Sequence, residues 1–361
     1  MIRAVTETAS KLARLRSLLT DRGLPGIVLT RPASVAWLTG GMTNVIDRSA
    51  GQDAVWIAVG HDAGACITTT VEGPRLRAEK ALPFELVEVP WQEPDAYRRA
   101  ADEVVGPAAP DDDALDTELT GLRLALVPEE RARLMALGAD ATTAVEEAVR
   151  AWRPGATDRN VMADVAAGCE RAGIVPVCLI VGGDERLARF RHPLACGTPT
   201  WRQMMAVLVA MRDGLHVALT RHASAGPPSP ELAGAQATAR RIESIVLHAC
   251  TVRPSTYGDV LQALATGYGD DRWREHWQGG PIGYRQREFE IAPEPADTPW
   301  HAEPVATHHA IAFNPSVAGG GKAEDTFLIG DDGLVPVTAG EGWPTVLVAG
   351  RARPAILEVD G

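Results

Sequence analysis

The chain has 361 residues, 45% of them apolar and 23% charged, a length beyond what one hydrophobic core usually serves, so two domains are expected. A formal net charge of −12, with arginines scattered among carboxylates, argues against nucleic acid or an anionic membrane surface as the main partner. Cys66, Cys169, Cys178, Cys196 and Cys250 show no paired spacing, which disfavours a disulfide framework or structural zinc. With no signal-like N-terminus and no apolar run of membrane-spanning length, a soluble cytoplasmic protein is expected.

In chain order, "SKLARLRSLLTDRG" places leucines at helical spacing and stops at glycine. The short runs "LPGIVLT", "VAWLTG" and "QDAVWIAVG" follow, each bounded by turn residues, so the N-terminal part reads as a small α/β domain. Residues 104–121, rich in Pro, Asp and Ala and without periodicity, read as irregular and mark a boundary between domains at 1–121 and 122–361. The second part opens with a helix from "VPEERARL", proline in its first turn and acids near its start. A turn and helix at "RPGATDRNV" come next, then the strand "VPVCLIVGG" and a hairpin, "MMAVLVAMRDGLHVALTRH". "SPELAGAQATARRIESIVLHAC" and "TYGDVLQALATGYG" are helical, and "AIAFNPSVAGGGKAEDTFLIGDDGL" alternates strands with glycine turns. Helices mixed with antiparallel hairpins make this domain α+β.

The stretch "HWQGGPIGYRQREFE", His276 to Glu290, holds too many ionisable groups for a core strand. It reads as a pocket wall: glycines where backbone closely approaches a ligand, Tyr284 and Trp277 as walls with polar handles, and His276 as a polar contact. "AGGGK" lacks the ending and the following helix of a phosphate loop and reads as a hairpin tip. His308 and His309 are placed at the exposed start of a strand, Cys196 as a small buried apolar side chain, and Arg285 in a surface ion pair.

"RFRHPL", "ALTR", "GGPIGY" and "AEDTFLIGDDGL" occur in the order that resembles the creatinase/aminopeptidase P/methionine aminopeptidase family. "GIVLTRPASVAWLTG" resembles the start of the creatinase-type N-terminal domain, "RPGATDRNV" the glycine-threonine turn, and "TRHASAGPPSPEL" a further family stretch. The resemblance implies an α/β N-terminal domain followed by an α+β pita-bread domain. Family peptidases hold two metal ions with two Asp, one His and two Glu. Here Val207, Ala218, Gly280 and Asn314 stand at four of those positions and only Glu324 remains. No metal and no cofactor is therefore expected. Asp213 and His216, close in sequence, read as solvated turn residues rather than a rebuilt site.

The pattern is similar to metal-independent creatinase. That resemblance matches His192 to the catalytic histidine, Glu324 to the last glutamate, and Arg287 and Glu288 to a substrate-binding segment. It also matches Arg48 to an arginine that reaches the partner subunit's site, which implies a homodimer. Thr220 replaces the glutamate that grips a guanidinium, which argues against creatine itself. The expectation is hydrolysis of a C–N bond in a small carboxylate-bearing metabolite, amino acid-like or bearing a guanidine or amidine. His192 acts as base and then acid, Glu324, Glu288 and Asn314 orient, and Arg287, Arg48, Tyr284, Thr220, Gly280 and His276 bind. The alternatives are a non-catalytic binding protein, another proton-transfer or lyase reaction, and a residual Xaa-Pro metallopeptidase.

Overall fold

Leu15 and Leu19, four residues apart and both fully buried, fix the inner face of α1 (Ile2–Arg22), and Gly23 at φ 62° ends it. The computed structural model describes residues 2–44, 46–292 and 299–360. It divides into two units, residues 1–130 with 213–215, and residues 131–212 with 216–361.

In the first unit β1 (Gly26–Leu29), β2 (Trp56–Gly60), β3 (Gly64–Thr69) and β4 (Leu86–Val89) form one sheet in that order. It is antiparallel except for the β3–β4 pair. Val28, Ala58, Ile67 and Val105 are the centre of its core. Helices α2 (Pro32–Thr39), α3 (Gly73–Glu79) and α4 (Ala96–Val105) punctuate the strands. Helix α5 (Asp116–Leu124) starts inside the stretch expected to be irregular and runs past its end at residue 121, burying Leu119, Arg123 and Leu124. The Pro- and Asp-rich residues before it masked its short apolar stripe.

The second unit carries most of α6 (Pro128–Ala151) and α7 (Asp158–Arg171), which starts at a reciprocal capping box between Thr157 and Asn160. After β5 (Val175–Gly183) and α8 (Asp184–Arg189) comes the hairpin of β6 (Gln203–Arg212) and β7 (Leu215–Ala225). Asp213 at φ 52° and Gly214 at φ 75° give it the left-handed turn that "RDG" announces. The long helices α9 (Pro230–Ala249) and α10 (Tyr257–Tyr268) follow, both with hydroxyl N-caps. The chain closes with β8 (Gly279–Ile282), β9 (Ala310–Phe313), β10 (Ser316–Val317), β11 (Gly321–Lys322), β12 (Thr326–Gly330) and β13 (Gly333–Pro336), then β14 (Thr345–Val348), β15 (Arg351–Pro354) and β16 (Leu357–Val359).

Two four-stranded sheets result, β16-β7-β6-β5 and β13-β12-β9-β8, with β10–β11 and β14–β15 as separate hairpins. A buried charge network ties them to the helices. Arg353 makes a bidentate pair with Glu243 (2.7 and 2.6 Å) and also reaches Asp325 (2.8 Å). Arg221 bridges Asp325 (2.9 Å) and Glu146 (2.8 Å). Asp325 adjoins Glu324, so this network also fixes the backbone of a candidate site residue. Among the described residues no helix is long and apolar enough to cross a membrane.

Candidate functional site

A cavity of about 420 Å³ opens in the second unit. Its apolar wall comes from two neighbouring strands, where Ile180 lies opposite Val207 and Cys178 opposite Val209. Residues two apart on a strand share a face, so these cross-strand pairs present one continuous surface. Its polar wall carries Arg287, Glu290, Asn314, Lys322 and Glu324, and its mouth His192, Leu194 and Trp277.

His192 stacks against Trp277, ring centroids 5.8 Å apart and planes 16° apart. Among the described residues no hydrogen bond is made to its ring. Burial holds its pKa below the ordinary imidazole value, the Lys322 charge acts in the same direction, and Glu324 opposes them. His192 is thus neutral and base-competent at neutral pH. The cation responsible is Lys322 more than the neighbouring arginines of "RFRHPL".

Arg287 donates to Glu324 at 2.9 Å, and Thr220 donates to the other Glu324 oxygen at 3.2 Å. Three expected site residues therefore form one chain of contacts, in which the Arg287 and Glu324 charges face each other. With its nitrogen toward the carbonyls, the Asn314 side chain donates to Trp277 and Gln278 oxygens (2.9 and 3.0 Å), tying the mouth to the polar wall.

Other expected residues serve elsewhere. Glu288 is buried, and its carboxylate accepts from the backbone N–H groups of Tyr284 (2.8 Å) and Arg285 (3.2 Å), holding the turn after β8. Tyr284 is buried and accepts from Arg133 at 3.4 Å. A Cβ on Gly280 would meet the Phe289 carbonyl oxygen at 2.6 Å, so the chain's own backbone occupies the space expected for a ligand. His276 contacts Tyr268 Oη (3.0 Å) and the Trp277 carbonyl (2.7 Å), with its pKa lowered to about 4, mainly by burial. Arg48 is exposed in the first unit. His309, expected to be exposed, is buried and paired with Tyr257 Oη at 2.9 Å. A histidine at the edge of an apolar strand was drawn inward by that hydroxyl.

Sequence reasoning passed over Lys322, which is 3% exposed and lines the cavity. Lysine is rarely buried, and nothing in "AGGGK" signals it. Burial also depresses its pKa.

The donors present do not fit the dinuclear metal site of the family peptidases. Val207, Ala218, Gly280 and Asn314 supply no charged ligand, and Glu324 is engaged by Arg287 and Thr220. His216 contacts the Gly283 carbonyl, and Asp213 forms the hairpin turn. Among the described residues no three His, Cys, Asp or Glu side chains converge as a metal site.

Fold and cavity define a two-unit chain, an α/β domain followed by an α+β pita-bread domain. Residues 11–153 match the Creatinase/Prolidase N-terminal domain family. No curated protein matches the chain by sequence. Among solved structures, dipeptidase PepE from Mycobacterium ulcerans has a TM-score of 0.71 at 18% identity, covering 98% of each chain. The prolidase from Pyrococcus horikoshii OT3 has a TM-score of 0.70 at 16% identity, covering 92% of this chain and 99% of that one. The N-terminal domain of the FACT complex subunit SPT16 from Eremothecium gossypii has a TM-score of 0.66 at 11% identity, covering 92% and 96%. The chain is thus creatinase/prolidase-like in its N-terminal domain by sequence and over its whole length by fold. A fold shared by peptidases and a complex subunit leaves the function to the site.

Proposed function

We propose that the chain is a metal-independent hydrolase that cleaves a C–N bond in a small carboxylate-bearing compound. The observation that carries this reading is His192, neutral and stacked on Trp277, at the mouth of a cavity that also holds Arg287, Glu324 and Asn314. His192 takes a proton from water as the hydroxyl adds to the scissile carbon, and returns it to the leaving nitrogen as the C–N bond breaks. The Arg287–Glu324 pair opens onto the ligand, guanidinium toward carboxylate and carboxylate toward a cationic nitrogen. Arg48 from a second copy of the chain, in a homodimer, is the further cation.

The test is a hydrolysis screen of N-acyl amino acids, guanidino acids and amidines, with and without chelator, on wild type and His192→Ala. The expected result is chelator-insensitive turnover lost by at least about 100-fold in the variant, the usual contribution of a general base, at unchanged melting temperature. Full activity in His192→Ala overturns the mechanism.

A second reading, a non-catalytic binding protein, is favoured by one observation: among the described residues His192 lacks a hydrogen-bonded partner to orient it. Ligand binding without turnover of any member of the screen is the outcome that selects it.

A further inference from the structure

Two features of the cavity go unused in the hydrolysis reading. The first is Lys322. Its main chain is gripped by both ends of the Gln236 amide, N–H to Oε1 at 2.9 Å and Nε2 to carbonyl at 2.8 Å. A backbone held this way fixes where the side chain starts. The Nζ donates to Ser316 Oγ at 3.3 Å, across the β10–β11 pair, and among the described residues no carboxylate lies within ion-pairing distance of it. Arg287, by contrast, already has Glu324 at 2.9 Å. Glu324 and Glu290 act on Lys322 only from a distance, and an ammonium removed from water with no carboxylate in contact is costly; the cavity is the place from which an anion would supply that contact.

The second feature is apolar surface left in water. Trp277 is 67% and Leu194 64% exposed at the mouth, above the Ile180–Val207 and Cys178–Val209 pairs. A small zwitterion would leave them uncovered, and about 420 Å³ exceeds what such a molecule fills.

We propose that the ligand of this cavity is an organic acid with a flat apolar body, its acid group on Lys322 Nζ and its body between Trp277 and the valine face of β6. This rests on reading the cavity as the substrate site and refines it: Lys322, rather than the already neutralised Arg287, is the first anchor of the acid. It predicts aryl-bearing acids such as N-arylacyl amino acids over creatine-like compounds.

The experiment is calorimetric titration of wild type, Lys322→Met and Trp277→Ala with three probes. These are N-phenylacetylglycine, its primary amide, and N-acetylglycine. Wild type is expected to bind the aryl acid roughly 10–100-fold more tightly than the amide, the worth of one charge-assisted contact. Lys322→Met is expected to bind acid and amide alike, and Trp277→Ala to lose the preference for aryl over acetyl. Equal affinity for acid and amide in wild type, an acid preference that survives in Lys322→Met, or no binding by any probe overturns the proposal. Should Lys322→Met not fold, the wild-type acid-to-amide ratio and Trp277→Ala decide it. Binding is read without turnover, so an acid preference without hydrolysis counts against the proposed reaction and not against the anchor.

Discussion

Replacing Arg353 with methionine tests whether the buried charge network holds the site strand. The side chain is 4% exposed and makes two hydrogen bonds to Glu243 and a third ionic contact to Asp325. Methionine fills much the same space but leaves Glu243, itself 1% exposed, without its guanidinium. Asp325 retains Arg221 and Thr338, so the loss falls mainly on Glu243. Breaking a buried pair by removing one partner costs about 3–5 kcal/mol. Arg240, one turn earlier on α9, is the cation placed to soften this, which favours the lower end. For a unit of this size the melting temperature falls about 2–4 °C per kcal/mol, giving a drop of roughly 6–20 °C.

The pH dependence has a definite sign. Burial raises the Glu243 pKa in the folded state, and without Arg353 that rise grows. A carboxyl whose folded pKa lies above its unfolded value is penalised once pH rises past both, and the penalty is relieved as pH falls below them. The deficit of Arg353→Met relative to wild type therefore narrows toward acid pH. The double variant Arg353→Met/Glu243→Gln removes the stranded charge and is expected to recover most of the loss. Circular-dichroism melts across pH are the assay. A single variant within about 1 kcal/mol of wild type would refute the reasoning, since a surface-like pair costs no more than that.

Two further outcomes follow from the site. With the His192 pKa depressed by burial and by Lys322 against the opposing pull of Glu324, the acid limb of kcat/KM for any substrate found is expected below the ordinary imidazole value of about 6.5. In Lys322→Met that limb moves upward, because a cation that disfavours imidazolium is gone; an unmoved limb argues against their proximity. Gly280→Ala drives a methyl against the Phe289 carbonyl at 2.6 Å, and the overpacking is expected to cost about 1–3 kcal/mol in a thermal melt. An unchanged melting temperature with weakened ligand binding would instead return Gly280 to the ligand surface.

Much of the fold is legible because local chemistry and global packing agree. The capped helices α9 and α10 and the "RDG" hairpin announce themselves by cap, period and turn residue. Helix α5 does not, since nine residues behind a Pro- and Asp-rich lead-in offer only two leucine anchors that are buried. In the site, the resemblance to creatinase singles out His192, Arg287, Asn314 and Glu324, where residue type alone does not, and the structure gathers these four around one cavity. Pattern alone does not show which partner a side chain takes. Glu288 looks as available for a ligand as Glu324, yet backbone N–H groups claim it. Lys322 is hidden for the opposite reason: its main chain is held by the Gln236 clamp, a contact spanning 86 residues that no local pattern announces. Strand alternation does carry the signal for the apolar wall, because Cys178 and Ile180, like Val207 and Val209, sit two apart on paired strands.

The charge balance of the cavity links these replacements to its ligand. Two cations, Lys322 and Arg287, line it against two carboxylates, Glu324 and Glu290. Burial raises the Glu290 pKa against the pull of Arg287, and burial lowers that of Lys322, so the cost of charge falls on both signs. Were Val207 and Asn314 acids, as in a family metal site, the same cavity would carry two further negative charges and call for metal cations. With valine and asparagine there instead, the two carboxylates are matched by Lys322 and Arg287, which fits the proposed anion better than a pair of metal cations. The valine at 207 does more than delete a ligand, since it joins Ile180 in the apolar wall. Val207 thus bears both on the missing ligand set and on the proposed acid site, and Val207→Asp is expected to weaken aryl-acid binding through charge and wall together.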